Sequence, residues 1–376
     1  MPSDKKNLII KNGVVFTPDF TFKKADVFIS DGKFSAANKF NSDFEELRAD
    51  GLYVLPGLID IHTHGAKGND FCSSGEKGLR KIAEYELSVG VTSFCPTSMT
   101  LPENILSGIF SNAADIKTDS KYSQIVGINM EGPFLSYEKK GAQNEKYLKN
   151  PDFEMFKRLF DSSKGLIKLV TVAPELDNSY DFIKKASDYS HISLGHTSCS
   201  YEEAAKAFRS GADHVTHLFN AMNPFLHRSP GVLGASFDDD SVFVELISDG
   251  VHVDPSAVRA VFKLFGDDRV VLISDSMEGA GMDDGQYELG GKKVTKTGSK
   301  AVLSDGTIAG SVSNLFECMK KAVSFGIPLE YAVKAATYNP AKSIGIENAV
   351  GSVSPGLKAD VVLTDKNLNI VKVIHY

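Results

Sequence analysis

Long apolar runs are missing from this 376-residue chain, and no stretch approaches the ~20 consecutive apolar residues that a membrane-spanning helix needs. The opening residues, MPSDKK, lead into only a short apolar patch at Leu8, Ile9 and Ile10, too little for the core of a secretory signal. Cysteine is sparse. Cys72, Cys95, Cys199 and Cys318 show no C-x-x-C spacing, so buried free thiols are expected. An excess of positive charge is lacking too: 41 Lys and Arg stand against 48 Asp and Glu, a formal charge of −7 with no basic stripe. That balance favours solubility and argues against a nucleic-acid partner. What is present is ordinary for a soluble globular protein, with 42% hydrophobic and 24% charged residues. The expectation is a cytoplasmic enzyme, without membrane or nucleic-acid partners, built as one large domain plus a smaller one.

Both ends of the chain are strand-like. Residues 8–16, 25–29 and 33–36 carry β-branched or aromatic side chains, and Asp31-Gly32 is a tight hairpin signal. Residues 359–364 and 369–374 look alike, with Pro355-Gly356 as a turn before them. Neither end alone is large enough for a core, so 1–54 and 346–376 are expected to form one discontinuous β-sandwich domain. Between them, 55–345 alternates strand-like with helix-like runs. Eight strand-like runs stand out, at 58–62, 92–96, 125–130, 167–172, 191–194, 214–217, 242–247 and 270–274. Helical stretches at 79–89, 153–160 and 201–210 separate some of them, the last opened by the capping box Ser200-x-x-Glu203. Asp254-Pro255 offers a further helix start. Eight β/α units over this length match an α/β fold of the (β/α)8 TIM-barrel type; a doubly wound sheet is the rival. Turn signals at Asp284-Gly285, Gly290-Gly291 and Asp305-Gly306 mark 283–310 as a hairpin-rich insertion on the barrel rim, followed by helices at 313–325 and 329–336.

The chemistry is organised around LPGLIDIHTHG at 55–65. His62 and His64 lie two apart on a short buried strand, which puts both imidazoles on one face. More metal-binding residue types follow, each near the end of a later apolar run: Glu131, His196, His217 and Asp275. Barrel enzymes carry their reacting groups where the strands end, so these six converge on one rim. Imidazoles and carboxylates together suit a divalent cation, with zinc expected and iron, manganese or cobalt as alternatives. Such an ion lowers the pKa of bound water from about 15.7 to about 7. Asp275 is placed as the catalytic carboxylate that moves the proton. The reaction class is metal-assisted hydrolysis of an amide or a related carbonyl.

With these residues the chain resembles the amidohydrolase superfamily and, within it, the N-acetylglucosamine-6-phosphate deacetylases. The likeness runs over essentially the whole chain. It is carried by PGLIDIHTHG at 56–65, EGPF at 131–134, GHT at 195–197, HLFNAM at 217–222, SPG at 229–231, DGVH at 249–252 and SDS at 274–276. It implies that Glu131, His196 and His217 hold one metal ion and that His62 and His64 complete a second position, giving one or two ions per chain. It also implies that Ala142, Gln143, Asn220, Ala221, Arg228 and His252 bind the amino-sugar phosphate. The loop Ile308, Ala309 and Gly310 would close over the sugar, and a homodimer would let the partner contribute to the phosphate pocket. The guanidinium of Arg228 offers a fork of donors for phosphate, and the Asn220-Ala221 backbone can donate N–H groups.

Two positions depart from the family pattern. Gln143 stands where many relatives have a histidine; it can hydrogen-bond but cannot become a cation. Ser229 follows Arg228 where relatives often have glutamate. The leading function is removal of the acetyl group from N-acetylglucosamine 6-phosphate, releasing acetate and glucosamine 6-phosphate in amino-sugar catabolism. The galactosamine epimer, a cyclic amide and a barrel scaffold without chemistry are the alternatives. Glu131 speaks against the cyclic-amide enzymes that bridge their metals with a carboxylated lysine, and the complete ligand set speaks against a scaffold.

Overall fold

A computed structural model describes residues 7–36, 44–116 and 119–376. Its centre is a parallel barrel of eight successive strands: Leu58–Thr63, Val91–Ser98, Ile128–Glu131, Ile167–Val172, His191–Leu194, His214–Val215, Phe243–Leu246 and Val270–Leu272. Each pairs with the next in chain order, which excludes the doubly wound alternative, where the order reverses. The seam between first and last strands is made by short contacts rather than a full ladder. The Asp275 N–H donates to the His62 carbonyl at 2.9 Å, and Thr63 and Ser276 form a parallel bridge. Asp60 Oδ1 accepts from the His62 and Ser274 N–H groups, at 3.1 and 3.4 Å.

The helices return the chain along the outside. Tyr201–Arg209 starts at the expected capping box, with Ser200 and Glu203 bonding each other's backbone, and buries Ala204, Ala207 and Phe208. Pro255–Phe265 starts where Asp254 accepts from the Ser256 N–H and proline occupies the first turn. The main apolar core lies between strands and helices, with Phe156 fully buried at 5.8 Å from the Phe182 ring. A smaller cluster joins Ile59, Ile61, Cys95, Leu169, Ile247, Val271 and Ile273 from the strands to Ala341 and Ile344. All four cysteines are free thiols; three are buried and Cys72 is half-buried.

The two strand-like ends meet in one seven-stranded sheet, where Tyr53–Pro56 pairs antiparallel with Val361–Thr364. Leu8–Phe16 shifts register between Ile10 and Gly13. That shift lies in its antiparallel pairing with Phe22–Ser30; it also pairs in parallel with Glu45–Arg48 along its first half and with Tyr53–Pro56 along its second. Asp31 and Gly32 both take positive φ, 54° and 73°, as a two-residue hairpin turn requires. The sheet has a core of its own, including Ile10, Val27, Ile29, Val54, Val361 and Leu363. Gly285–Leu289, Lys292–Thr297 and Lys300–Val302 make a separate three-stranded antiparallel sheet in the insertion after the eighth barrel strand. Among the described residues no helix is long and apolar enough to cross a membrane.

Candidate active site

Glu131, the last residue of the third strand, is the hub. Its Oε1 lies 3.1 Å from His196 Nε2, 3.1 Å from His217 Nε2 and 3.5 Å from His62 Nε2. Its Oε2 faces His64 Nε2 at 3.4 Å. Asp275 Oδ1 stands 3.2 Å from His64 Nε2 and 3.5 Å from His62 Nε2. The six residues expected at one rim are therefore in one cluster, all of them buried.

Plain strand geometry would not bring them together. The first strand shifts register against the second between Leu58 and Ile59 and again between Asp60 and Thr63, and such irregularities re-aim side chains. His196, His217 and Asp275 each follow a strand end with positive φ, at 47°, 29° and 49°. Left-handed backbone at a residue other than glycine costs ~1–3 kcal/mol and collects at functional sites. Gly195 precedes one of these turns because a Cβ there would sit 2.5 Å from that of Thr216.

The donor set fits a cation. His64 Nδ1 faces the Thr97 carbonyl at 3.1 Å and His196 Nδ1 the Lys139 carbonyl at 2.8 Å. Carbonyls only accept, so both Nδ1 atoms carry the proton and both Nε2 atoms are free to act as ligands. His196 Nε2, His217 Nε2 and Glu131 Oε1 lie 3.1 Å from one another, three potential ligand atoms facing one point. The atoms of His62, His64 and Glu131, and those of Glu131, His196 and His217, form two groups in which all potential ligand atoms lie within 4.8 Å. Glu131 is common to both.

The local field favours positive charge. Burial alone would depress the His62 pKa, but Glu245, Glu131 and Asp275 outweigh it and raise it to about 9. His64 is likewise penalised by burial, yet hydrogen bonding to Asp275 and Glu131 lifts it well above its usual value. Burial opposes ionisation of Glu131, but His196 and His62 hold its pKa well below normal. Asp275, equally desolvated, is lowered by His62 and His64.

His64, Glu131, His196, His217 and Asp275 form one wall of a cavity of about 530 Å³, while His62 is fully buried. Ala142, Gln143, Asn220, Ala221, His252, Ile308 and Gly310 line it as well, while Ala309 is fully buried between the last two. His252 is held by Asp249, whose Oδ2 lies 2.8 Å from Nδ1. Gly310 has φ of 62°, and a Cβ there would come within 3.2 Å of the Asp275 carbonyl oxygen. The Asn220 N–H is already bonded to the His217 carbonyl at 2.9 Å, which leaves the Ala221 N–H as the donor that this pair can offer. Arg228 lies elsewhere. It is exposed, 2.9 Å from His227 Nε2, and borders a separate cavity with Ser198 and Tyr201.

Gln143 faces the Glu131 cluster directly. Its Nε2 donates to Glu131 Oε2 at 2.7 Å and its Oε1 accepts from the Thr100 N–H at 2.7 Å. Sequence reasoning passed over Glu245, which lies 2.9 Å from His62 Nδ1; a lone glutamate inside an apolar strand was its only signal. It also passed over Asp305 and Thr307 at the cavity edge, which belong to the insertion and have no spacing relation to the ligands.

Residues 53–375 match the Amidohydrolase family model. The chain is 36% identical to the N-acetylglucosamine-6-phosphate deacetylase of Bacillus subtilis (strain 168), over 98% of this chain and 96% of that one. It is 30% identical to the N-acetylgalactosamine-6-phosphate deacetylase of Escherichia coli O157:H7, over 92% of each. The crystal structure of N-acetylglucosamine-6-phosphate deacetylase from Pasteurella multocida superposes with a TM-score of 0.91 at 29% identity, covering 98% of both chains. A nearly full-length match in sequence and in fold, around a histidine–carboxylate cluster on the barrel rim, shows that the chain belongs to the amidohydrolase family.

Proposed function

We propose that this chain hydrolyses the acetamide of N-acetylglucosamine 6-phosphate to acetate and glucosamine 6-phosphate. The observation that carries this is Glu131 with four imidazole Nε2 atoms within 3.5 Å and Asp275 beside two of them, at the wall of a cavity of sugar-phosphate size. The deacetylases that match it along nearly its full length support the substrate class.

His196, His217 and Glu131 would hold one divalent ion, and His62 and His64 with Glu131 a second; zinc suits this donor set. When bound, such an ion polarises a carbonyl and makes water more acidic. Asp275 Oδ1 then takes a proton from the attacking water and returns it to the sugar nitrogen as the C–N bond breaks. Ala221 N–H and His252 orient the sugar, and Ile308 to Gly310 cover it. Gln143 keeps Glu131 in place rather than supplying a charge to the phosphate.

Arg228 sits outside its own chain's cavity, on a turn whose neighbours Phe225 and Leu226 are each 52% exposed. That placement supports a homodimer in which the turn of one protomer reaches its partner's phosphate pocket. The seven-stranded sheet, with its separate core, supports one discontinuous β domain of 1–54 and 346–376, expected as a sandwich and formed here by a single sheet, beside the catalytic barrel of 55–345. Positions 1–6 and 37–43 of that domain lie outside the described residues. A cytoplasmic location suits a substrate that carries a phosphate. The decisive experiment measures acetate release from the 6-phosphates of N-acetylglucosamine and N-acetylgalactosamine, with metal content determined on the same protein. Faster turnover of the galactosamine epimer would reassign the substrate, and no release from either would overturn the activity.

A further inference from the structure

Of the four histidines around Glu131, only His62 is backed by a carboxylate. His64 and His196 direct Nδ1 at neutral carbonyls, and His217 Nδ1 has no hydrogen-bond partner among the described residues. His62 Nδ1 instead lies 2.9 Å from Glu245 Oε2, and both side chains are fully buried. The same oxygen accepts from the His217 N–H at 3.1 Å, while Oε1 is 3.5 Å from His214 Nε2. One carboxylate on the seventh barrel strand therefore touches a candidate ligand of each metal position.

We infer that Glu245 is a positioning residue that creates the second metal position, the one made by His62, His64 and Glu131. Two physical arguments converge on it. A carboxylate accepting from Nδ1–H keeps the proton off Nε2 and makes the imidazole a stronger ligand, which neutral carbonyls do less well. Charge counting points the same way. Glu131 and Asp275 together match one divalent ion, and Glu245, 2.9 Å from His62 Nδ1, adds buried negative charge that favours a second cation on the other side of that ring. His62 Nε2, buried and without a hydrogen-bond partner among the described residues, is aimed at Glu131 and Asp275, where that cation would sit. For the first position Glu245 contributes only a backbone contact at His217, which a neutral oxygen can replace.

The inference rests on the metal reading above, and its test separates the two. Metal-free wild type and Glu245→Gln are titrated with Zn²⁺ by calorimetry, with bound metal counted after dialysis. Glutamine keeps the shape and an accepting oxygen and removes only the charge. Wild type is expected to bind two ions. The variant should keep the tighter ion and bind the weaker one about 10–100-fold less well, the usual effect of losing an outer-shell carboxylate. A variant holding both ions with wild-type affinities overturns the role of Glu245 while leaving the metal reading intact. Wild type that binds a single ion overturns the second position and Glu245's role with it, and wild type that binds none overturns the metal reading as well. Should the variant not fold, as judged by circular dichroism, Zn²⁺-loaded wild type decides by ¹⁵N-histidine NMR. An Nδ1–H proton of His62 shifted far downfield, identified by its loss in His62→Gln, is the expected result. An unprotonated Nδ1 overturns the inference.

Discussion

Asp275 and Gln143 touch the same cluster and do different things. Asp275 Oδ1 borders His64 and His62, and its left-handed φ of 49° is what turns it inward from the end of the eighth strand. Asparagine would keep the shape and remove the basic oxygen. Asp275→Asn should therefore lose ~10²–10⁴-fold in kcat while still binding substrate and most of its metal, as steady-state kinetics and metal analysis would show. Loss of metal along with activity would make Asp275 chiefly a ligand. Gln143, by contrast, spends both ends of its amide on the protein, on Glu131 Oε2 and the Thr100 N–H. Gln143→Leu removes one partner of Glu131 Oε2 and leaves the buried Thr100 N–H unsatisfied, and should destabilise the fold by ~1–3 kcal/mol in denaturant titration. An unchanged unfolding midpoint would show that this amide is free to serve the substrate. The type of residue at each of these positions was legible from the sequence. The pairing of Gln143 with Glu131 was not, because the two come from different segments and no local pattern links them.

At the scale of elements, the turn carrying Phe225, Leu226 and Arg228 stands apart from its own cavity and presents apolar surface to solvent. If a second copy covers it, Arg228→Ala should damage turnover of the 6-phosphorylated sugar far more than that of the unphosphorylated one. Removing one partner of a charge-assisted contact costs ~2–5 kcal/mol. Phe225→Asp should shift the protein toward monomer in sedimentation and raise KM for the phosphorylated substrate alone. Equal losses on both sugars, with the oligomeric state unchanged, would leave Arg228 a surface residue. Element type was readable where the physics is local. Ser200 and Glu203 close a capping box, Asp254 caps the helix after it, and Asp31-Gly32 turns a hairpin, each within a few residues of sequence. Strand Glu45–Arg48 is not legible because three of its four residues are charged and its partner, Leu8–Lys11, lies far away in sequence.

For the molecule as a whole, the site is a concentration of buried charge at the barrel's open end, and a bound cation would tie it together. Glu131 meets imidazoles from the first, fifth and sixth strands, so a cation held there would couple its binding to barrel closure. Removing the metal with a chelator should lower the melting temperature by an amount that grows with added Zn²⁺ in the control. Saturation at a hundred times Kd corresponds to ~2.7 kcal/mol of stabilisation. Differential scanning calorimetry that shows no metal dependence would argue that the cluster folds without an ion.

The sequence by itself determined the parts whose physics is short-range: eight strand-like runs, several helix starts, and the histidines and carboxylates that a cation needs at the strand ends. Those follow from periodicity, capping and side-chain chemistry, all written within a few residues. Tertiary structure alone decided which atoms meet. Register shifts in the first strand and left-handed turns at His196, His217 and Asp275 gather side chains from four other strands into the cluster around Glu131. It placed Glu245 behind His62 and kept Arg228 out of its own pocket. Such meetings depend on closing a barrel over more than two hundred residues, and a closure of that length leaves no local trace for a pattern to follow.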